Sequence, residues 1–331
     1  MTNLKTMSET SRGLRRDMPP NAITLDKLSD LIFDPEDKKR VKSGVINPIV
    51  PPRTKTLEIM YFRDLLPVVR DLVAITNQLI IPAIPGLSQS AQSVRPDHKG
   101  HVNRISWMKW NSDRIAYLET EESYYKHLIP KWDDTSDDIE LLMRQARERF
   151  GQEWTEQDFQ ALALAAADRT NDQSVRYFTR LAKQVPGIDP LALEPWLREE
   201  VKLFTRDNVN LITSMSEDHF DKVEGTLIRD IRAGKKNTEI AENIRKISRQ
   251  SKNRTKLIAR DQTAKFYSSL QENRMKDAGI DRYRWSTAAD ERVRASHRRL
   301  NGRFYSFNKP PSVGNPGQPI QCRCVAIPVI E

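Results

Sequence analysis

Ile258-Ala259-Arg260-Asp261-Gln262-Thr263, then Tyr283-Arg284-Trp285-Ser286-Thr287, then Cys322-Arg323-Cys324 are the stretches around which this chain is read. Between them stand Asp290-Glu291-Arg292-Val293-Arg294, His297 and Leu300-Asn301-Gly302, and Ile327-Pro328-Val329 follows. Aromatic, Gly/Pro and charged residues are dense here and irregularly spaced. That texture predicts a small α+β domain with turns and a polar site, not a helix bundle. A long helix is expected over residues 252–278, with Leu257, Ile258, Phe266 and Leu270 on its buried stripe and Gly279 past its end. A strand over 283–286, a helix over 292–300, a turn at Asn301-Gly302, a loop over 309–319 and a closing strand over 321–329 complete it.

Two groups of residues in this stretch have chemistry to offer. Cys322 and Cys324 are two apart, so on a strand both thiols face one side. Their Cα separation there, roughly 6.6 Å, suits a shared metal better than a disulfide. His297 precedes them and would complete three zinc ligands. The plainer reading packs the cysteines as small buried groups and gives His297 a carbonyl partner. The second group is Asp290, Arg292, Arg294 and His297. At helical spacing Asp290, Arg294 and His297 share a face, where carboxylate, guanidinium and imidazole could bind phosphate and move protons. Its plainer reading is an Asp–Arg pair with Asp290 at a helix N-terminus. No Walker loop, Ser elbow or H-E-x-x-H motif occurs.

The order of these pieces resembles the C-terminal domain of the phage Mu F-like minor head proteins, the head-morphogenesis family of tailed bacteriophages. The pattern is a helix with Ala259-Arg260-Asp261-Gln262-Thr263, then Tyr283, Trp285, Thr287, Asp290, Arg292-Val293-Arg294, His297, Leu300 and Gly302, then a Pro/Gly loop, then Cys322-Arg323-Cys324 and a Pro328-Val329 ending. The resemblance is specific over residues 254–329 and looser over 204–247. It implies a minor capsid protein of a phage or prophage, not an enzyme. Such a protein would sit at or inside the head with the portal and the major capsid or scaffold protein. It would be made in the bacterial host cytoplasm and assist procapsid assembly and the packaging or ejection of double-stranded DNA. Two rivals are a nuclease or group-transfer enzyme using Asp290, Arg292 and His297, and a non-specific DNA-binding protein.

Composition sets the frame. The chain has 331 residues, 38% hydrophobic and 30% charged, with net charge +9. That predicts a soluble, mainly α protein with an extended N-terminal helical region before the α+β domain. Two cysteines cannot supply a disulfide framework. The most apolar run, 72–87, is interrupted by Asn77, Pro82 and Pro85, which predicts no membrane span. Charge is uneven: 119–140 is acidic and 229–303 is basic. Lys235, Lys236, Arg245 and Lys246 are the candidate contacts to DNA phosphates, weak and sequence-independent.

Three segments are expected: an arm over 1–52, a helical domain over 53–220 and the C-terminal domain over 221–331. The arm carries Pro19-Pro20 and Pro51-Pro52 and one short helix over 25–33. A helix over 56–79, kinked at Pro67, precedes a Pro/Ser/Gln linker over 82–96. His98 and His101 read as a surface loop. Short helices follow over 107–118, 123–132 and 137–150. Thr155 to Asp158 resembles a capping box before a helix over 159–167. Helices over 173–184, 190–204, 209–215 and 220–231 come next. Thr238 should cap a helix over 239–247, giving a helical pair around Gly234.

Overall fold

The computed structural model describes residues 49–93, 135–184 and 194–330. The arm before residue 49, the short helices over 107–118 and 123–132 and the His98/His101 pair lie outside them. The described residues contain α1 (Lys55–Ile75), a π turn (Thr76–Ile80), α2 (Ile81–Ser93) and α3 (135–153). Then come α4 (Glu156–Ala182), α5 (Leu197–Arg232), α6 (Asn237–Asp277), β1 (Arg282–Ser286), α7 (Ala295–Arg298), β2 (Phe304–Ser306) and β3 (Val325–Pro328). The protein is mainly α with a small antiparallel sheet near its C-terminus, as the sequence predicts.

Among the described residues the helices are fewer and longer than the sequence suggests. Ser, Thr and Asn side chains can compete with the helix for backbone groups. Here their side chains bond back one turn instead. Thr170, Thr205, Asn208, Ser216, Ser251 and Thr255 donate to the carbonyls of Ala166, Val201, Phe204, Ile212, Ile247 and Ser251. These six side chains are satisfied inside the helix, and α4, α5 and α6 run on without interruption. The expected linker over 82–96 is helical as far as Ser93. The π turn ends at Ile80, two residues before Pro82, and widens the backbone where the ring would meet the carbonyl of residue 78. As a result Lys55–Gln89 is, by length and composition, apolar enough to cross a membrane. The helical run is thus longer than the apolar stretch 72–87 read from the sequence, and its stripe of Tyr61, Leu65, Val68 and Leu72 is buried in the core.

One core joins α1 to α6. Residues Leu65, Val68, Leu72, Ile84, Met143, Ala163, Ile212, Val223, Leu227, Ile244 and Ala259 belong to it, and α6 touches α1, α4 and α5. Thr155 accepts from the Asp158 N–H at 3.3 Å and Asp158 accepts from the Thr155 N–H at 2.8 Å, which is the expected capping box at the start of α4. The pair around Gly234 is the antiparallel hairpin of α5 and α6, closed by Gly234 at φ +67°. It is not two short helices, and Thr238 does not cap: Lys236 holds that place.

A second core carries the sheet, whose strand order is β2-β1-β3. Tyr283 and Trp285 on β1 point inward, with their neighbours outward. They pack with Phe307, Ile280, Met275, Cys322 and Cys324, and also with Tyr177, Phe178 and Leu181 from the end of α4. Three short strands have too little apolar surface to form a core alone, so α4 completes it. Residues 220 and 221, where the expected domains meet, lie inside α5. Arg274 ties the layers from α6. Its guanidinium donates to Glu194 at 2.5 and 2.8 Å, to Asn171 at 2.6 Å and to Ser174, and lies over the Trp196 ring.

Candidate functional site

The Cys and His side chains of the sequence meet. β3 returns antiparallel to β1, with Trp285 opposite Ala326. Strand β3 starts only at Val325, so both cysteines sit on the loop before it rather than on the strand. Gln321 adopts the left-handed region at φ +55° and turns the chain inward ahead of Cys322. From the other side, α7 presents His297. Its Nδ1 lies 3.5 Å from each sulfur, and the three donor atoms lie within 4.8 Å of one another. All three residues are buried. The Trp285 indole closes the group edge-to-face against the His297 ring, with centroids 5.5 Å apart.

The electrostatics separate the two thiols. A hydrogen bond from Cys324, the Gly317 N–H at 3.4 Å and the adjacent His297 bring Cys322 down to about 6, against the opposing effect of burial. Cys324 is driven up by its neighbour Cys322 and by burial.

The loop that carries Cys322 is fastened to α6. Asp261 Oδ1 accepts the Gln321 N–H at 2.7 Å, and Arg260 donates to the Gln321 amide oxygen at 3.3 Å. Asn315 accepts from the Tyr283 hydroxyl at 2.8 Å and donates to Glu272 at 3.1 Å. Ser268 donates to the Pro316 carbonyl. Gly317 has φ +91°, and a Cβ there would stand 2.5 Å from the Ser268 Cβ. The segment ahead of α1 closes this region: Arg53 donates to the carbonyls of Thr287 at 3.0 Å and Arg323 at 3.4 Å. Asp261, Gly317, Asn315 and Gln321 were not singled out as site residues. The one available signal was an acidic residue on the buried stripe of a helix.

The second expected group does not align. A helix over 292–300 would have put Asp290, Arg294 and His297 on one face, but helix forms only over Ala295–Arg298 and Arg294 is its N-cap. Asp290 lies in the preceding turn region and pairs with Arg323 at 2.5 Å. Arg292 is exposed, Arg294 donates to the Ile320 carbonyl at 2.7 Å, and His297 faces the sulfurs. The basic residues lie at the α5–α6 turn and along the start of α6. Lys235 pairs with Asp230 at 3.1 Å and Glu239 at 3.3 Å. Arg245 is 3.9 Å from Glu242, and Lys246 donates to Asn243 at 3.0 Å. Lys236 is exposed.

A family model described as phage Mu protein F like protein matches residues 221–327, which span the end of α5, α6, the sheet, His297 and both cysteines. An uncharacterized protein of Haemophilus influenzae is 35% identical over 45% of this chain and 34% of its own length. An uncharacterized protein of Methanocaldococcus jannaschii is 31% identical over 36% of this chain and 18% of its own. The chain thus spans about a third or less of these relatives. No solved structure matches it.

Proposed function

We propose, from the premise that residues 221–327 are a phage Mu F-like domain, that this chain is a minor head protein of a tailed phage or prophage acting in head morphogenesis. In this reading the helical body of α1 to α5 meets the portal or the inner capsid wall. The C-terminal domain serves procapsid assembly and the packaging or ejection of DNA from inside the head. The observation that carries it is the family match over the whole segment that builds the sheet and its Cys/His group. The role is structural: Asp290, Arg292 and His297 each have other engagements or none in common, so no catalytic function is assigned to them.

The test is co-expression of the full chain with its cognate portal and major capsid proteins, followed by sizing and by mass spectrometry of purified virions. Co-elution with the portal and presence in virions are expected. Absence from virions together with failure to co-elute would overturn the reading. An activity that disappears in His297→Ala, in a protein that still assembles, would replace it with the enzymatic one.

A further inference from the structure

We propose that Cys322 Sγ, Cys324 Sγ and His297 Nδ1 are three ligands of a structural zinc ion that locks the C-terminal loop to α7 and to the Trp285 strand. The spacing fits. Zn–S bonds of about 2.3 Å and a Zn–N bond of about 2.05 Å at tetrahedral angles place sulfur and nitrogen about 3.6 Å apart. The two observed separations are both 3.5 Å. Zinc is also the metal that a set of soft thiolates and one imidazole in a buried tetrahedral arrangement suits.

Charge supports the same ligand. A divalent ion, two thiolates and a neutral imidazole sum to zero, and burying a neutral group costs far less than burying a net charge. The surroundings are arranged for anionic sulfur. The Gly317 N–H points at Cys322, and the Arg53 guanidinium donates to the carbonyl of Arg323, which stands between the two cysteines.

No fourth Cys, His, Asp or Glu among the described residues joins this group. The fourth position goes to a water. A cavity of about 30 Å³, bounded by Cys322, Cys324, Tyr267, Gln271 and Gly317, has room for one. Three protein ligands and a water are also the pattern of hydrolytic zinc sites. The role proposed for the ion here is structural: it holds the loop that carries both cysteines to His297 on α7.

The experiment uses the untagged full chain, expressed with zinc and purified without chelator. Elemental analysis should find one zinc per chain, lost in Cys322→Ser and Cys324→Ser. His297→Cys should retain it. Cobalt(II) substituted for zinc should give a thiolate-to-metal charge-transfer band and the visible spectrum of a tetrahedral ion, both missing in Cys324→Ser. A strong chelator should lower the Tm of the wild type and leave that of the Cys322→Ser/Cys324→Ser double variant unchanged, which separates metal loss from misfolding. Wild-type protein that stays far below one zinc per chain after incubation with zinc, and whose Tm ignores chelator, would overturn the proposal. So would a Cys324→Ser protein that still holds one zinc per chain.

Discussion

Asp261 on α6 accepts the backbone N–H of Gln321 at 2.7 Å, across sixty positions of sequence. The contact holds a non-glycine residue in the left-handed region at the point where the chain turns toward the two sulfurs. It gives the Asp of the Ala259-Arg260-Asp261-Gln262-Thr263 run a physical task. That task is to fix the loop carrying Cys322.

Asp261→Ala leaves that N–H without its acceptor and removes the partner of Lys265. It should cost about 1–3 kcal/mol, while Asp261→Asn, which keeps an acceptor oxygen, should cost less. Urea unfolding measures the cost. The reaction rate of Cys322 with a thiol reagent reports the loop itself, and it should rise more in the Ala variant than in the Asn variant. Equal rates in wild type and Ala variant would mean the loop does not depend on Asp261.

Gly317→Ala should be among the most damaging single changes in the C-terminal region. The new Cβ meets Ser268 Cβ at 2.5 Å and the Ala264 carbonyl at 3.2 Å, on a backbone at φ +91°. The expected loss is about 2–4 kcal/mol. Adding Ser268→Gly should recover part of it, because the clash is relieved and the backbone strain is not. Full recovery would show that the conformation itself costs nothing.

His219 predicts an acid-sensitive helical core. It is 1% exposed and bridges two helices: Nε2 is 2.9 Å from Thr76 Oγ1 and Nδ1 is 2.9 Å from Ser251 Oγ. Burial, with a smaller contribution from Lys222, lowers its pKa from 6.5 to about 4. The folded state therefore keeps His219 neutral where the unfolded chain takes up a proton. Stability is fully present above pH 6.5 and is lost as pH falls from there toward 4, by about 3 kcal/mol in all. His219→Gln should remove this component. The measurement is the difference in unfolding free energy between pH 7 and pH 4.5, which should be smaller in the variant.

Arg274→Met should destabilise the junction between α4 and α6 by about 3–5 kcal/mol, because it strips Glu194 and Ser174 of a buried charged partner. Arg274→Lys should recover little, since an ammonium cannot serve Glu194, Asn171 and Ser174 from one planar fork. Thermal unfolding of the two variants decides this. A lysine variant as stable as wild type would show that charge alone is enough.

The residues that could be read from the sequence are those whose meaning is local. Thr155 and Asp158 announce a helix start, and Gly234 and Gly279 announce helix ends because few other residues take positive φ there without strain. Tyr283 and Trp285 alternate with arginines and so form a strand. The ordered pattern from Asp261 through His297 to Cys324 lies within the residues, 221–327, that match the phage Mu F-like model. Cys322, Cys324 and His297 were brought together by their chemistry alone, and the distances of 3.5 Å agree.

Tertiary structure decided what depends on burial. Polar clusters that signal helix breaks in an isolated chain lie inside continuous helices here, because a buried hydroxyl or amide bonds the carbonyl one turn back when no water competes. Pro82 does not end a helix whose preceding turn widens. Asp290 leaves the helical face that spacing assigns it, because Arg323 arrives from a distant part of the chain. The C-terminal core takes Tyr177 and Leu181 from α4, since a sheet of three short strands cannot bury its own aromatic residues. Spacing in sequence fixes which side chains can share a face within one element. Which elements meet is settled by the apolar area that each leaves uncovered.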